Sequence, residues 1–413
     1  MGSLRIGLAG VLIVALAGCG GTPAPSPSPT ESGVPPTATT APIPDLTAAA
    51  TVPLTPGRSP SGELVEPTGD LLFFRGSRVE GGQIGSAWVA PLAGGPPFQL
   101  GPAIEASWAA DGRSIHLVSR DDNCVPKLTT VSVDQLPHVS NVIGEGLRSL
   151  DDAFAWSPDG AQVVFLRYHN GAPPRMCGSQ GGTYESDAVV QDMILMNADG
   201  TDKHVLVPMV WPQRPITWSP DGTWIAFANE AGGYDGTSLR DTVVVRAADG
   251  EQSLLTSAPR EGMSSPRWSP DGTRLAFGFS VEGVNHFGII TVGGATLLDL
   301  GGGADYAHEF SSSPDGEAVA TAFDAVTDGI LTSGGILIYR TDGSGRRALS
   351  LTDVQTFSEP PAWSPDGGWL AYVRTAGQQG GWGGIALVRT DGSSRRELPE
   401  TAGAEWVVWQ PAP

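Results

Sequence analysis

The chain has 413 residues, and its 44 acidic side chains outnumber its 24 Lys and Arg side chains, which gives a formal net charge of −20. This excess of negative charge argues against a nucleic-acid-binding protein and against electrostatic docking onto anionic lipid, because both need a basic surface. A basic partner or cations stay compatible with it. With 56 Gly and 35 Pro, the composition is typical of a chain dense in turns.

The first 18 residues predict an export signal. Arg5 supplies a positive charge, and residues 6–17 form an apolar core that is too short to span a bilayer. The core ends in Leu16-Ala-Gly-Cys19, which resembles the lipobox of bacterial lipoproteins. That resemblance implies diacylation of Cys19 and an extracytoplasmic protein held on the cell membrane by lipid chains. The alternative is an ordinary secretory signal in which Cys19 is incidental.

Residues 19–62 follow as a linker of Pro, Ser, Thr, Ala and Gly with few large apolar side chains. Such a segment buries too little surface to offset its chain entropy, so we expect it to stay extended or disordered. We interpret it as a spacer between the lipid anchor and a folded domain at residues 63–413.

A five-residue phrase repeats through this domain. Trp-Ser-Pro-Asp-Gly occurs four times, degenerate copies occur twice, and a truncated Trp-Gln-Pro closes the chain. The copies begin at Trp108, Trp156, Trp218, Trp268, Ser312, Trp363 and Trp409. The steps between them run from 44 to 62 residues, and a four-stranded propeller blade needs roughly 40–50 residues. The repeat therefore predicts a propeller, with an insertion in the longest step.

Each phrase is followed by short apolar runs, such as residues 163–166 and 243–245, and then by an Asp-Gly turn and a last short run. One unit is thus strand, tight turn, strand, loop, strand, Asp-Gly turn, strand. We expect the Trp of the phrase to pack between neighbouring blades, because its large ring buries much apolar area. A ligand-binding role for these Trp residues is the alternative.

The repeated phrase is similar to that of the TolB-like, WD40-like propellers built from PD40 repeats, and the resemblance covers residues 64–413. It implies an all-β, seven-bladed β-propeller of four-stranded blades, with the six blades of TolB itself as the alternative. It does not imply one activity, because such propellers serve as binding proteins, as peptidase gating domains and occasionally as lyases.

The two ends of the domain are complementary, and this predicts how the ring closes. Residues 404–410 form an innermost strand with nothing after it, whereas residues 71–74, 87–90 and 98–100 supply three strands with no phrase before them. Joined, they make one split blade and bring the total to seven. Closure of this kind removes the exposed strand edges that would recruit other chains, so we expect a monomer.

Two cysteines remain after Cys19. Cys124 and Cys177 both fall between the predicted second and third strands of consecutive blades, on loops that should share one face. In an exported protein a disulfide between them is plausible, and two free structural thiols are the alternative.

The sequence predicts no catalytic residue, metal ligand or cofactor. Residues 197–202 have a trace of a calcium loop without its distal Glu, and no Gly-x-Ser-x-Gly pentapeptide of an α/β-hydrolase occurs. The enzymatic alternative is a metal-dependent polysaccharide lyase, or another propeller enzyme, because some similar propellers hold a metal with histidines near the axis. His169, His286 and His308 are the candidates for such a set.

The loops predicted at residues 169–190, 230–240, 324–333 and 375–383 vary most in length and composition. Aromatic, elaborated loops on one side of a rigid scaffold are the usual layout of a binding surface. The candidate binding residues on this face are Tyr184, Trp211, Tyr234 and Trp382. We therefore expect a TolB-like, non-catalytic module that binds an envelope protein or a cell-wall polymer; variable loops without function are the alternative.

Overall fold

The computed structural model describes residues 66–76, 85–121, 125–133, 140–143, 147, 152–169, 190–231, 239–255, 260–261, 266–281, 284–293, 297–302, 309–327, 330–351, 353–354, 360–376 and 381–412. The signal, the linker, and Cys19, Cys124 and Cys177 lie outside these ranges, so the lipid anchor and the disulfide stay predictions. Throughout the described residues, the structure contains no helix with the length and apolar character of a membrane span.

The described part of the chain is all-β, apart from a 3-10 turn at Pro399–Thr401. In chain order the strands are β1 (Asp70–Arg75), β2 (Gly85–Pro91), β3 (Phe98–Ala103), β4 (Glu105–Trp108), β5 (Ser114–Arg120), β6 (Pro126–Ser132), β7 (Ser140–Ile143), β8 (Asp152–Trp156), β9 (Gln162–Tyr168), β10 (Gln191–Asn197), β11 (His204–Val210), β12 (Pro212–Trp218), β13 (Trp224–Ala231), β14 (Leu239–Arg246), β15 (Gln252–Leu254), β16 (Arg260–Glu261), β17 (Arg267–Trp268), β18 (Arg274–Val281), β19 (Val284–Thr291), β20 (Leu297–Gly302), β21 (Ser311–Ser312), β22 (Ala318–Thr327), β23 (Ile330–Arg340), β24 (Arg346–Ser350), β25 (Ala362–Trp363), β26 (Trp369–Ala376), β27 (Gly381–Arg389), β28 (Arg395–Leu398) and β29 (Ala404–Trp409).

These strands form seven four-stranded antiparallel blades, which confirms the predicted seven-bladed propeller. Blade 1 is β29-β1-β2-β3, blades 2 and 3 are β4–β7 and β8–β11, and blade 4 is β12–β15. Blades 5, 6 and 7 are β17–β20, β21–β24 and β25–β28. The two-residue strand β16 pairs with both β14 and β18, and so links the third strand of blade 4 to the second strand of blade 5.

The phrase makes the turn between the first and second strands of a blade. In blade 3, the Ser157 hydroxyl donates to Asp159 Oδ1 at 2.6 Å and accepts from the Gln162 amide at 2.9 Å. Gly160, at φ +69°, supplies the left-handed conformation that the turn requires, and its amide donates to the Ser157 carbonyl. The same Ser-to-Asp hydrogen bond occurs at Ser219, Ser269, Ser313 and Ser364. In these five turns, the Ser hydroxyl and the Asp carboxylate of the phrase are therefore hydrogen-bonded within the turn.

The Trp of the phrase packs between blades, as the sequence predicts. Trp218 is buried in a cluster shared by blades 3 and 4, and its indole Nε1 donates to the Ala155 carbonyl of blade 3 at 3.0 Å. Trp268 and Trp363 repeat this hydrogen bond with the preceding blade. Among the described residues, seven buried hydrophobic clusters fill the seven spaces between neighbouring blades.

Blade 1 is the predicted split blade. Strand β29 pairs antiparallel with β1 from Leu71–Trp409 to Arg75–Ala404. Gln410 then completes the closure: its side-chain oxygen accepts from the Asp70 amide at 2.8 Å, and its side-chain nitrogen donates to the Gly112 carbonyl of blade 2 at 2.7 Å. The last strand is thus tied both to its own blade and to the next.

Two of the four predicted loops are largely strand, so this part of the sequence interpretation is wrong. β22 and β23 pair as far as Thr327–Ile330, and β26 pairs with β27 as far as Ala376–Gly381. The polar and glycine-rich composition that suggested loops is accommodated in the hairpins by register shifts, after Ala325 in blade 6 and after Arg374 in blade 7.

Candidate functional site

The most unusual surface of the described chain is the outer strand of blade 3. Val205 is 50% exposed, Met209 57% and Trp211, directly after β11, 40%. We call these three residues the β11 surface. An outer strand normally turns polar side chains to water, whereas residues 205–211 are apolar throughout. Apolar residues that are exposed together on a rigid strand are typical of an interaction site.

An irregular strand places Met209 in solvent. The pairing of β10 with β11 shifts register on both sides of Met193, and Met209 adopts φ +56°, which is uncommon for a residue with a side chain. The Met209 amide donates to Asp192 Oδ1 at 3.0 Å. The backbone is thus held in a conformation that costs of order 1–3 kcal/mol, a feature that clusters at functional sites.

Asp192 and Asn229 organise this end of the blade. Asp192 Oδ1, which accepts from the Met209 amide, also lies 2.6 Å from His169 Nδ1, at the end of β9. Asn229 Oδ1 accepts from the Trp211 amide at 2.9 Å and so ties the β11–β12 connection to blade 4. Met209 and Trp211 therefore lie where the second strands of the blades end, a side of the ring that we call the loop face.

The opposite end of β11 has a small excess of negative charge, because the turn before it carries two carboxylates and Lys203. The turn from β10 to β11 carries Asp199 and Asp202, and the Asp202 carbonyl lies 2.7 Å from His204 Nδ1. The hydrogen bond from the Thr201 hydroxyl, followed by that from the Thr201 amide, lowers the pKa of Asp199, so this carboxylate stays charged in mild acid. The outer side of blade 3 thus passes from the carboxylates of the β10–β11 turn to the exposed apolar side chains of the β11 surface.

The other predicted binding residues are placed differently. Tyr184 and Tyr234 lie outside the described residues. Trp382 lies on β27 opposite Thr375, not in a loop, and is half-buried against the hydrophobic cluster of blades 7 and 1. Of the four aromatic candidates, Trp211 is the one that the described structure leaves exposed.

Sequence reasoning missed Val205 and Met209. A signal for them existed: the run Val205 to Trp211 has no polar residue, although it follows an Asp-Gly turn where the outermost strand of a blade begins. Such a run cannot bury both of its sides at the rim of a propeller, so part of it must face water.

A hydrogen bond and an ion pair connect residues on or next to the innermost strands of neighbouring blades. The Thr217 hydroxyl donates to the Pro266 carbonyl at 3.1 Å, and Arg267 of blade 5 pairs with Glu309 of blade 6 at 2.5 Å. These contacts join neighbouring blades. Within the described ranges, no group of three or more His, Cys, Asp and Glu side chains is placed to hold a metal ion.

The two described histidines of the candidate metal set each pair with a carboxylate of their own blade. His169 pairs with Asp192 on blade 3, and His286 on β19 pairs with Asp299 on β20 of blade 5 at 2.9 Å. Neither belongs to an inner strand, and His308 lies outside the described residues. The structure therefore does not bring His169 and His286 together near the axis.

His116 is buried between blades 2 and 3. Its ring stacks on Trp156 with 4.0 Å between centroids, and its Nδ1 lies 3.1 Å from the Thr130 hydroxyl. Burial lowers the pKa of His116 to about 4. The imidazole is thus neutral in the folded protein and packs as part of the blade interface.

No protein-family model matches the chain, and no curated protein matches it. Among solved structures, an oligogalacturonate lyase from Vibrio parahaemolyticus is 12% identical, with a TM-score of 0.55 over 73% of this chain and 88% of that chain. A puromycin-hydrolyzing peptidase from Mycobacterium tuberculosis is 15% identical, with a TM-score of 0.56 over 83% and 53%. TolB from Acinetobacter baumannii is 15% identical, with a TM-score of 0.47 over 82% of each chain.

At these identities the likeness shows the fold alone. The chain spans about half the length of the peptidase, and the same architecture occurs in proteins with different names and activities. The comparisons therefore place this chain among the β-propellers and leave its function to be argued from its own surface.

Proposed function

We propose that this protein is a non-catalytic binding module, TolB-like in architecture, that recognises a protein of the cell envelope through the β11 surface. The observation that carries the proposal is the joint exposure of Val205, Met209 and Trp211 at the rim of blade 3. Interfaces are enriched in Trp and Met, and a few such residues commonly supply most of the binding energy.

The chemistry of the β11 surface suits a protein partner. Met209 has a flexible thioether that adapts to an apolar counterpart, whereas Trp211 offers a large rigid ring. The carboxylates of Asp199 and Asp202 lie at the far end of the same strand. A partner with an apolar anchor beside a basic group would complement both ends, in keeping with the net charge of −20.

We further propose that the protein is exported and anchored to the membrane by lipid at Cys19, with residues 20–62 as the spacer. The support is the sequence Leu16-Ala-Gly-Cys19 after a short apolar core. Mass spectrometry of the mature N-terminus tests it, and a diacylated Cys19 is the expected result. An unmodified N-terminal residue other than Cys19 would contradict it.

Affinity capture tests the binding function. The immobilised full-length protein is compared with its Trp211→Ala and Met209→Ser variants for recovery of a partner from envelope extract. The matched control is Val284→Ala, because Val284 is as exposed as Trp211, at 40%, but lies on blade 5. We expect both β11 variants to lose the partner and Val284→Ala to retain it.

Equal recovery by all variants would contradict binding through the β11 surface. An assay of the same protein on acidic polysaccharides tests the enzymatic alternative. Cleavage that a chelator abolishes would overturn the non-catalytic proposal in favour of a metal-dependent lyase.

A further inference from the structure

A second distinctive surface lies between blades 6 and 7. The turns that lead into their outermost strands have nearly the same sequence, Thr341-Asp-Gly-Ser-Gly-Arg-Arg347 and Thr390-Asp-Gly-Ser-Ser-Arg-Arg396. The corresponding Asp-Gly turns at residues 198–200 and 248–250 are not followed by an Arg pair. Two adjacent blades thus repeat a basic pair within a strongly acidic chain.

The register of the strands explains why the pair is doubled. Arg346 is opposite Tyr339 on blade 6, and Arg395 is opposite Val388 on blade 7, so Arg346 and Arg395 occupy equivalent positions. Successive side chains of a strand point to opposite faces. Each blade therefore directs one Arg of its pair to each neighbour, and the space between the two blades receives Arg347 from blade 6 and Arg395 from blade 7.

These two arginines line an open cleft of about 520 Å³. Its lining also includes Ser393 and Ser394 of blade 7, and Leu349 and Val388 contribute apolar surface. A cleft of this size is within the ~300–1,000 Å³ that small-molecule sites usually occupy. Its lining combines two cationic groups, the carboxylate of Asp391, serine hydroxyls and apolar surface.

The arginines are held in place before any ligand binds. Arg347 Nη1 donates to the Thr390 carbonyl of blade 7 at 3.2 Å. Arg395 Nη2 pairs with Asp353 and, at 3.1 Å, with Glu397 Oε1. Ion pairing on one side of a guanidinium leaves donors on its other side, because Arg has five N–H groups in a rigid fork.

The neighbourhood is basic despite these carboxylates. The charged residues that line the cleft or pair with its lining comprise four guanidinium groups and three carboxylates, namely Arg347, Arg374, Arg389, Arg395, Asp353, Asp391 and Glu397. In a chain with 24 basic and 44 acidic side chains, this local excess of positive charge would attract an anion.

We propose that this cleft binds an acidic glycan, with the carboxylates of its uronate units held by Arg347 and Arg395. Arg recognises a planar carboxylate in a bidentate manner. The hydroxyls of Ser393 and Ser394 and the carboxylate of Asp391 would hydrogen-bond the hydroxyls of the sugar rings, which an isolated small anion does not need. This site is separate from the β11 surface and gives the protein a second ligand, an acidic polymer of the envelope.

Titration calorimetry of the full-length protein with a uronate oligosaccharide tests the proposal. Arg347→Gln should weaken binding about tenfold or more, because a hydrogen-bonded charged contact is lost. The matched control is Arg396→Gln, which removes the same charge at the equivalent position of blade 7 but on the opposite face of its strand. It should change the affinity less than about twofold. Arg347→Lys should lose part of the affinity, since it keeps the charge without the fork.

Several results would overturn this inference. If Arg347→Gln and Arg396→Gln weaken binding equally, the affinity depends on overall charge and not on the cleft. If a neutral oligosaccharide binds as tightly as the uronate, the carboxylate is not recognised. Inorganic phosphate that binds as tightly as the uronate would show a simple anion site.

If Arg347→Gln melts at a lower temperature than the parent, Ser393→Ala replaces it, and its affinity for the uronate should fall a few-fold. Trp211→Ala should leave glycan binding unchanged, so this proposal and the proposed function can fail separately.

Discussion

The phrase turns and the outer strand of blade 3 differ in how far their side chains find partners within the protein. At the turns, the Ser219 hydroxyl, the Asp221 carboxylate and the indole of Trp218 all find partners within the protein. On β11, Met209 and Trp211 turn apolar side chains to water, and Met209 has a positive φ. The repeated phrase thus serves the contacts between blades, whereas the outer strand of blade 3 departs from the repeat.

The largest loss of stability should come from deletion of the closing strand. Deletion of residues 402–413 removes β29 and Gln410, which exposes the inner edge of β1 and leaves the hydrophobic cluster of blades 7 and 1 incomplete. We expect the cooperative unfolding transition to disappear, as measured by calorimetry. A truncated protein that melts at the parent temperature would contradict split-blade closure.

Truncation of one inter-blade Trp should cost less but remain large. Trp218→Ala empties part of the cluster between blades 3 and 4, and such a change costs about 3–5 kcal/mol in the free energy of unfolding. Trp218→Phe is the control, because it keeps most of the apolar contact and loses the hydrogen bond to Ala155. Denaturant unfolding of both variants measures the loss of stability, which should be larger for Trp218→Ala than for Trp218→Phe. An unchanged free energy of unfolding in Trp218→Ala would show that the Trp is not packing between blades.

His116 should make stability depend on pH. Burial lowers its pKa from 6.5 to about 4, so the unfolded chain takes up a proton first as the pH falls. The free energy of unfolding should therefore be highest above pH 6.5 and should fall by roughly 3 kcal/mol down to pH 4. His116→Phe keeps a ring against Trp156 and should flatten that slope. An unchanged slope would assign the pH dependence to other groups.

A substitution in a phrase turn on the surface should lower stability less than the changes above and should leave partner recognition unchanged. Asp221→Ala removes the acceptor of the Ser219 hydroxyl and of the Thr223 amide. The expected cost is about 1 kcal/mol in the free energy of unfolding, with partner capture unchanged. Thr223→Ala, which leaves both hydrogen bonds possible, is the control. Loss of capture in Asp221→Ala would mean that the phrase side of the ring takes part in binding.

The smallest effect on stability belongs to the β11 surface. Trp211→Ala should change the free energy of unfolding by less than about 0.5 kcal/mol while abolishing partner capture, because the side chain is exposed. Trp382→Ala is the informative contrast. The sequence predicts a loop residue that can be removed without loss of stability, whereas packing of Trp382 against the buried cluster predicts a lower melting temperature.

The sequence by itself determined the architecture. The phrase forms its turn from local contacts, since Ser157, Asp159 and Gly160 make their hydrogen bonds within six residues. The spacing of its copies sets the number of blades. The complementary ends of the domain predicted the split blade for the same reason: a missing strand is visible in a regular repeat. The inter-blade role of Trp218 followed from its size and its position in the unit.

Only the tertiary structure decided the surfaces. Whether Trp382 is exposed depends on how far β26 and β27 continue to pair, which composition does not determine. The position of Met209 depends on a register shift against β10 and on a hydrogen bond to Asp192, 17 residues earlier. The cleft between Arg347 and Arg395 depends on the packing of two blades face to face. These features arise from contacts between particular strands, and a repeated phrase in the sequence does not specify those contacts.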